Sequence, residues 1–112
     1  MLNFSGRRIF LCGTPVDMRK SFDSLADVVR LHLGMDPLHG DIILFIGRDR
    51  QRLKALVWKG DGFWVAQRRL ETSRLAPPSL WGGSAVALPL AAAEVTALLQ
   101  ATLPRIRRAR SR

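Results

Sequence analysis

Residues 52–70 read Arg52-Leu53-Lys54-Ala55-Leu56-Val57-Trp58-Lys59-Gly60-Asp61-Gly62-Phe63-Trp64-Val65-Ala66-Gln67-Arg68-Arg69-Leu70, two strand-like runs on either side of a Gly-Asp-Gly cluster. Such a cluster signals a hairpin, because a tight turn needs backbone angles that glycine adopts without steric cost. The reading is a strand from Arg52 to Lys59, a turn, and a returning strand from Phe63 to Leu70. Alternate side chains of a strand point to opposite faces. With either Gly60-Asp61 or Asp61-Gly62 as the turn, Arg52, Lys54, Leu56 and Trp58 share a face with Val65, Gln67 and Arg69. The other face carries Leu53, Ala55, Val57, Trp64 and Ala66, and is the one expected to contact the helix of residues 14–33.

Upstream, Ile42-Ile43-Leu44-Phe45-Ile46 is apolar at every position, which suits a central strand covered on both faces. Residues 7–12 form a first strand around Ile9, Phe10 and Leu11, bounded by Gly6 and Gly13. Between the two lies a helix over residues 14–33. Thr14 is its N-cap, Pro15 takes the first helical position and Asp17 meets the exposed amides. Met18, Phe22, Leu25, Ala26, Val29 and Leu33 form its apolar stripe, and Gly34 stops it. Downstream, residues 72–85, with Pro77-Pro78 and Gly82-Gly83, read as irregular chain. Pro89 opens a last helix whose face carries Leu90, Ala93, Ala97 and Leu98. The expected fold is α+β: a small antiparallel sheet of three to four strands, the 14–33 helix on one face, a C-terminal helix and a basic tail. Residues 1–103 form a single domain and 104–112 a flexible arm.

Composition bounds the chemistry. A chain of 112 residues, 47% hydrophobic and 24% charged, fits one globular domain and excludes a disordered, collagenous or coiled-coil class. Eighteen Lys and Arg against nine Asp and Glu leave a formal charge of +9, which speaks to partners and points to a polyanion. A single cysteine, Cys12, excludes an internal disulfide and a thiolate zinc site, so a buried inert thiol in a reducing cytoplasm is expected. No stretch approaches the roughly 18 apolar residues of a membrane span, and no cleaved signal is visible.

The parity of the hairpin brings Arg52, Lys54 and Arg69 within reach of one another. Like charges on neighbouring cross-strand positions repel, so the cluster invites an anion, naturally a phosphate. Arg48 and Arg50 extend the patch, and Arg68 and Arg74 widen its rim. Trp58 either stacks on an unpaired base or fills the core, its size favouring the core. A solvated charged face that merely discourages aggregation is the competing account. Together with the net charge, the cluster points to nucleic-acid contact. The tail, with Arg105, Arg107, Arg108, Arg110 and Arg112, reads either as a basic arm adding sequence-blind, salt-sensitive affinity or as a solubility tail.

Other constellations have simpler explanations. Asp36, His39 and Asp41 fit turn chemistry better than metal ligation. Asp17, Asp23 and Asp27 have local roles: Asp17 suits the helix start, Arg19 stands four residues before Asp23 and Arg30 three after Asp27, all helical pairing distances. No glycine-rich phosphate cradle occurs. No catalytic residue, metal or cofactor is expected.

The segment Asp17-Met18-Arg19-Lys20-Ser21-Phe22-Asp23-Ser24-Leu25-Ala26 resembles the hallmark of the TnpB accessory proteins of insertion sequences of the sixty-six type. Asp36-Pro37, Gly40, Phe45-Ile46-Gly47-Arg48, Lys54, Trp58, Gly60-Asp61-Gly62 and Arg68-Arg69-Leu70-Glu71 continue that pattern in order and spacing across about residues 8–75. The chain departs from it at Ser21 and Ser24, where glycine is usual, at Leu75-Ala76-Pro77-Pro78, which replaces an aromatic-x-Trp-Pro, and in the arginine tail. It is not similar to the longer RNA-guided nucleases that share the TnpB name.

The resemblance implies a small protein encoded beside a larger transposase and needed for transposition, without an established biochemical activity. Within it Arg19 and Lys20 gain weight: projecting from the first turn of the helix, they would clamp a phosphate, unless Arg19 pairs locally with Asp23. The expectation is therefore a non-catalytic, cytoplasmic accessory protein that grips the DNA of the transposon ends. Arg48, Arg50, Arg52, Lys54 and Arg69 form the grip, assisted by Arg19, Lys20, Arg105, Arg107 and Arg108, and a transposase is the protein partner. The alternative is an interaction partner of that transposase with no DNA contact of its own.

Overall fold

The apolar run Ile42–Ile46, β2, is buried at all five positions, and the rest of the chain in a computed structural model is arranged to cover it. The structure describes residues 6–77, 86–100 and 102–104. Along the chain come β1 (Ile9–Cys12), α1 (Phe22–Leu31), a 3-10 turn (Pro37–His39), β2, β3 (Arg52–Trp58), β4 (Phe63–Arg69), β5 (Ser73–Leu75), β6 (Ala87–Leu90), α2 (Ala92–Gln100) and β7 (Thr102–Pro104). The main sheet has five strands in the order β4-β3-β2-β1-β6, and β5 pairs with β7 in a second, two-stranded sheet.

The architecture is α+β as expected, but the sheet is larger than three to four strands and is mixed. β1 and β2 run parallel, Ile9 opposite Ile42, while the other neighbours are antiparallel. Parallel neighbours need a long crossover, and the segment containing α1 supplies it.

The helix expected over 14–33 is shorter at its start. Val16 is drawn into the sheet instead, its N–H donating to Ile46 O at 2.9 Å beside a bridge to Gly47. A tertiary backbone bond thus overrides the local Thr14-Pro15 start signal, and α1 begins after Ser21. Its far end is as read: Gly34 is left-handed at φ 64°, and the N–H of Met35 turns back onto Val29 O.

The helix expected from Pro89 is also corrected. Residues 87–90 form β6, paired antiparallel with β1, and α2 begins after Ala91. There Ala91 N–H donates to Glu94 Oε1 at 2.8 Å and Glu94 N–H to Ala91 O at 2.9 Å, a reciprocal cap. Among its described side chains Val95 and Leu98 are buried, whereas Ala93 and Ala97 are exposed. In the 72–85 segment, read as irregular, β5 occupies residues 73–75, and 78–85 lie outside the described residues.

Two apolar layers flank the sheet. On one side Ile43, Phe45 and Leu56 pack with Leu25, Ala26, Val28 and Val29 of α1. On the other Ile42, Leu44, Leu53, Ala55 and Val57 pack with Val95 and Leu98 of α2 and with Leu70 and Leu75. Each fully buried large side chain contributes about 1.5–3 kcal/mol. The hairpin parity is as derived, Arg52 opposite Arg69, Lys54 opposite Gln67 and Leu56 opposite Val65, around a turn in which Gly60 has φ 91°. The face that meets α1 is, however, the Lys54 and Leu56 face. The Leu53, Ala55 and Val57 face goes to α2, because β2 presents apolar side chains on both sides and the parity alone does not select between two helices.

Candidate nucleic-acid interface

The C-terminal end of β2, the start of β3 and the end of β4 meet at one end of the sheet, and the loop of residues 47–51 closes it. Gly47 N–H donates to Arg52 O, Leu70 N–H to Gln51 O and Leu75 N–H to Arg50 O, at 2.9, 2.7 and 2.6 Å. Arg48, Arg50, Arg52, Arg69 and Arg74 therefore issue from adjacent backbone positions. The segment before α1 joins them, since Val16 pairs with Gly47 and Lys54 Nζ donates to Met18 O and Lys20 O, both at 2.8 Å. Arg19 and Lys20 are thereby carried to the same end.

The cations there differ in their partners. Arg19 forks onto Asp17, Nη2 to Oδ2 at 2.8 Å and Nε to both oxygens at 3.1 Å. Hydrogen bonds from the Arg19 side chain and then its backbone, with the nearby Arg48 charge adding to them, hold the Asp17 carboxyl well below the usual carboxylate range. Arg19 pairs with Asp17 and not Asp23 because residue 19 lies ahead of the helix. Arg52 Nη2 donates to Asp49 Oδ2 at 2.9 Å. Burial raises the Asp49 pKa, but the Gln51 N–H and the Arg52 guanidinium outweigh it and the net shift is downward. Arg69 lies 3.8 Å from Glu71 across an exposed pair. The repulsion expected among Arg52, Lys54 and Arg69 is thus relieved within the protein, by two carboxylates and two carbonyls.

Among the described residues no carboxylate lies within ion-pair distance of Lys20, Arg48, Arg50, Arg68 or Arg74, although the Arg48 charge acts on Asp17 from further off. Arg48 is exposed, and Arg50 projects from a left-handed backbone at φ 58°. Arg105, Arg107 and Arg108 lie outside the described residues. Trp58 is half-buried, edge-on to Phe63 with centroids 5.0 Å apart.

Of the carboxylates weighed for chemistry, Asp17 holds Arg19, while the pairing expected between Asp23 and Arg19 does not form. Asp27 pairs with Arg30, and Asp36 accepts from Leu38 N–H at 2.9 Å, opening the 3-10 turn. Among the described residues no three metal-ligating side chains converge. Cys12 is buried, with Sγ 3.4 Å from Thr14 O.

At the opposite end of the sheet lies a pocket of about 400 Å³ lined by Gly6, Arg7, Arg8, His39, Gly40 and Asp41. Asp41, 7% exposed, accepts Arg8 Nε at 3.0 Å and Nη2 at 2.8 Å, with His39 Nδ1 3.2 Å away. Arg7 Nη1 donates to Gly40 O at 2.7 Å. The sequence groups His39 with Asp41 but gives no sign that Arg7 and Arg8 join them. The signal was the parallel pairing, which sets Arg8 level with Asp41 once Ile9 is opposite Ile42.

The family model described as IS66 Orf2 like protein matches residues 7–108. The chain is 32% identical over 79 residues to the uncharacterized protein y4jC of Sinorhizobium fredii (strain NBRC 101917 / NGR234), covering 70% of this chain and 68% of that protein. To the uncharacterized protein y4hO of the same strain it is 34% identical over 82 residues, 73% of this chain and 71% of that one. No solved structure matches. Among the described residues no helix is long and apolar enough to cross a membrane.

Proposed function

This chain belongs to the IS66 Orf2 like family, and from that premise we propose that it is a non-catalytic accessory protein of transposition that holds the DNA backbone at the basic end of its sheet and assists a separate transposase. The observation that carries the reading is the gathering of Lys20, Arg48 and Arg50, none in an ion pair among the described residues, around the 47–51 loop beside Arg69. Arg19 and Arg52 stand in solvent-screened surface pairs, which a phosphate can replace at little cost. Lys54 keeps one of its three donors after binding two carbonyls. Arg105, Arg107 and Arg108 add sequence-blind affinity from the C-terminal arm.

Phosphate contacts position a protein without reading bases, so the surface discriminates weakly between sequences. Binding is titrated with salt on the terminal DNA of the element and on a shuffled duplex. Four or five phosphate contacts give a log–log slope near about −4 on both. A flat response overturns the reading. Co-purification with the transposase after nuclease treatment, with no DNA retained by the small protein alone, replaces it with a protein-docking role.

A further inference from the structure

The two outer edges of the five-stranded sheet are unlike. At β6, Gly13 N–H donates to Val86 O at 2.8 Å. Antiparallel alternation then turns the backbone groups of residues 86, 88 and 90 toward β1 and those of 87 and 89 outward. Position 89 is proline, so that edge lacks a donor where a further strand would need one.

The β4 edge carries no such block. Its seven residues contain no proline, glycine or lysine, every one except Phe63 is exposed, and among the described residues nothing pairs with its outer side. Long unprotected edges invite another strand. The bonds Lys59 N–H to Gly62 O and Leu70 N–H to Gln51 O assign the even-numbered residues of β4 to β3. The backbone groups of Phe63, Val65, Gln67 and Arg69 therefore face outward.

From this pattern we propose that β4 pairs antiparallel with β4 of a second copy about a two-fold axis at Ala66, joining two five-stranded sheets into one of ten. In this register Val65 and Gln67 of one copy exchange hydrogen bonds with Gln67 and Val65 of the other, as do Phe63 and Arg69, so every outward donor and acceptor of the strand finds a partner. The strand is self-complementary on both faces. Trp64, 64% exposed, falls opposite Arg68 of the second copy in a non-hydrogen-bonded pair, where side chains approach most closely, and Phe63 falls opposite Arg69. The charges of Arg68 and Arg69 lie at opposite ends of the joint, away from their own copies. A register shifted by one residue fails, because it sets outward backbone groups against inward ones.

Light scattering across a concentration series, on nuclease-treated protein without DNA, is expected to give a dimer mass. Gln67→Pro removes an outward N–H and leaves the β3–β4 ladder intact, so it yields a folded monomer by circular dichroism. Ala66→Cys places two thiols on one face with Cα atoms about 4.5 Å apart, inside disulfide range, and forms a covalent dimer under mild oxidation. Trp64→Cys, about 14 Å from its own copy across the joint, does not. Cys12 is buried and silent in this assay. A monomer mass throughout the series overturns the proposal, as does failure of Ala66→Cys to cross-link. Should Gln67→Pro prove unfolded, the contrast between the two cysteine variants decides. The measurement involves no DNA, so it stands or falls independently of the basic surface.

Discussion

The ammonium of Lys54 donates to the backbone carbonyl of Lys20 at 2.8 Å, across 34 residues of chain, and a second bond of equal length to Met18 O ties β3 to the segment that leads into α1. Neither carbonyl belongs to a helix or strand, so the lysine supplies their partner. Lys54→Met keeps the aliphatic stem and removes both bonds. Bonds from charged donors are worth roughly 1.5–3 kcal/mol, and a loss of about 2 kcal/mol in urea unfolding is expected.

Gly47 leaves no room beside the same segment. A Cβ at that position would lie 2.6 Å from Met18 Cγ and 3.2 Å from Asp49 Oδ1. Gly47→Ala is expected to push Met18 out of its buried site and to cost about 1–3 kcal/mol. Met18→Ala in the same chain restores part of the loss, which a double-mutant cycle of denaturation midpoints reads directly.

Asp41 links acidity to the fold. Burial pushes its carboxyl up, but the hydrogen bonds from Arg8 and His39 and the Arg8 charge prevail, so its folded pKa lies below the ordinary 3.8. A carboxyl depressed on folding stabilises the protein fully above its unfolded pKa, and that stability is lost as pH falls through the folded value. Stability is expected to hold from neutrality to just above 3.8 and to decline below it. Asp41→Asn lowers stability at neutral pH and flattens the acid limb, read from melting temperatures across the range.

Arg50 separates binding from folding. It holds φ 58° without being glycine, a conformation that costs an ordinary residue about 1–2 kcal/mol. Arg50→Gly is expected to raise stability by up to about 1 kcal/mol while reducing the salt slope of DNA binding by about 1. A more stable protein that binds with an unchanged slope would remove Arg50 from the interface.

Much of the sheet is legible in the sequence, and the reasons are local. Ile42–Ile46 is apolar throughout because both its faces are covered, and Gly60 marks the turn between β3 and β4 by a left-handed backbone that few other residues adopt. What escapes reading depends on distant partners. Thr14-Pro15 carries every local mark of a helix start, yet the carbonyl of Ile46 captures Val16. Pro89 looks like a helix opener, but it sits where an edge strand requires no donor. At the basic end, parity and charge point to Arg52, Lys54 and Arg69, whereas Arg19 and Lys20 gain weight only from the family resemblance. Their fates divide according to which acceptor the fold brings near: Asp17 for Arg19, Asp49 for Arg52 and main-chain oxygens for Lys54. The Arg8–Asp41 bridge follows from a parallel register that residue patterns alone do not reveal.

The proline in β6 has a consequence for how many copies can associate. A protein whose sheet were open at both margins could add molecules without limit, and fibres would follow. With one margin of the five-stranded sheet closed by a missing N–H, growth through that sheet is self-terminating: the proposed symmetric pair uses up its other margin, and among the described residues that sheet keeps none to template a third molecule. Position 89 is in this sense a safeguard of solubility, and replacing Pro89 with valine would turn a bounded complex into a seed for polymerisation.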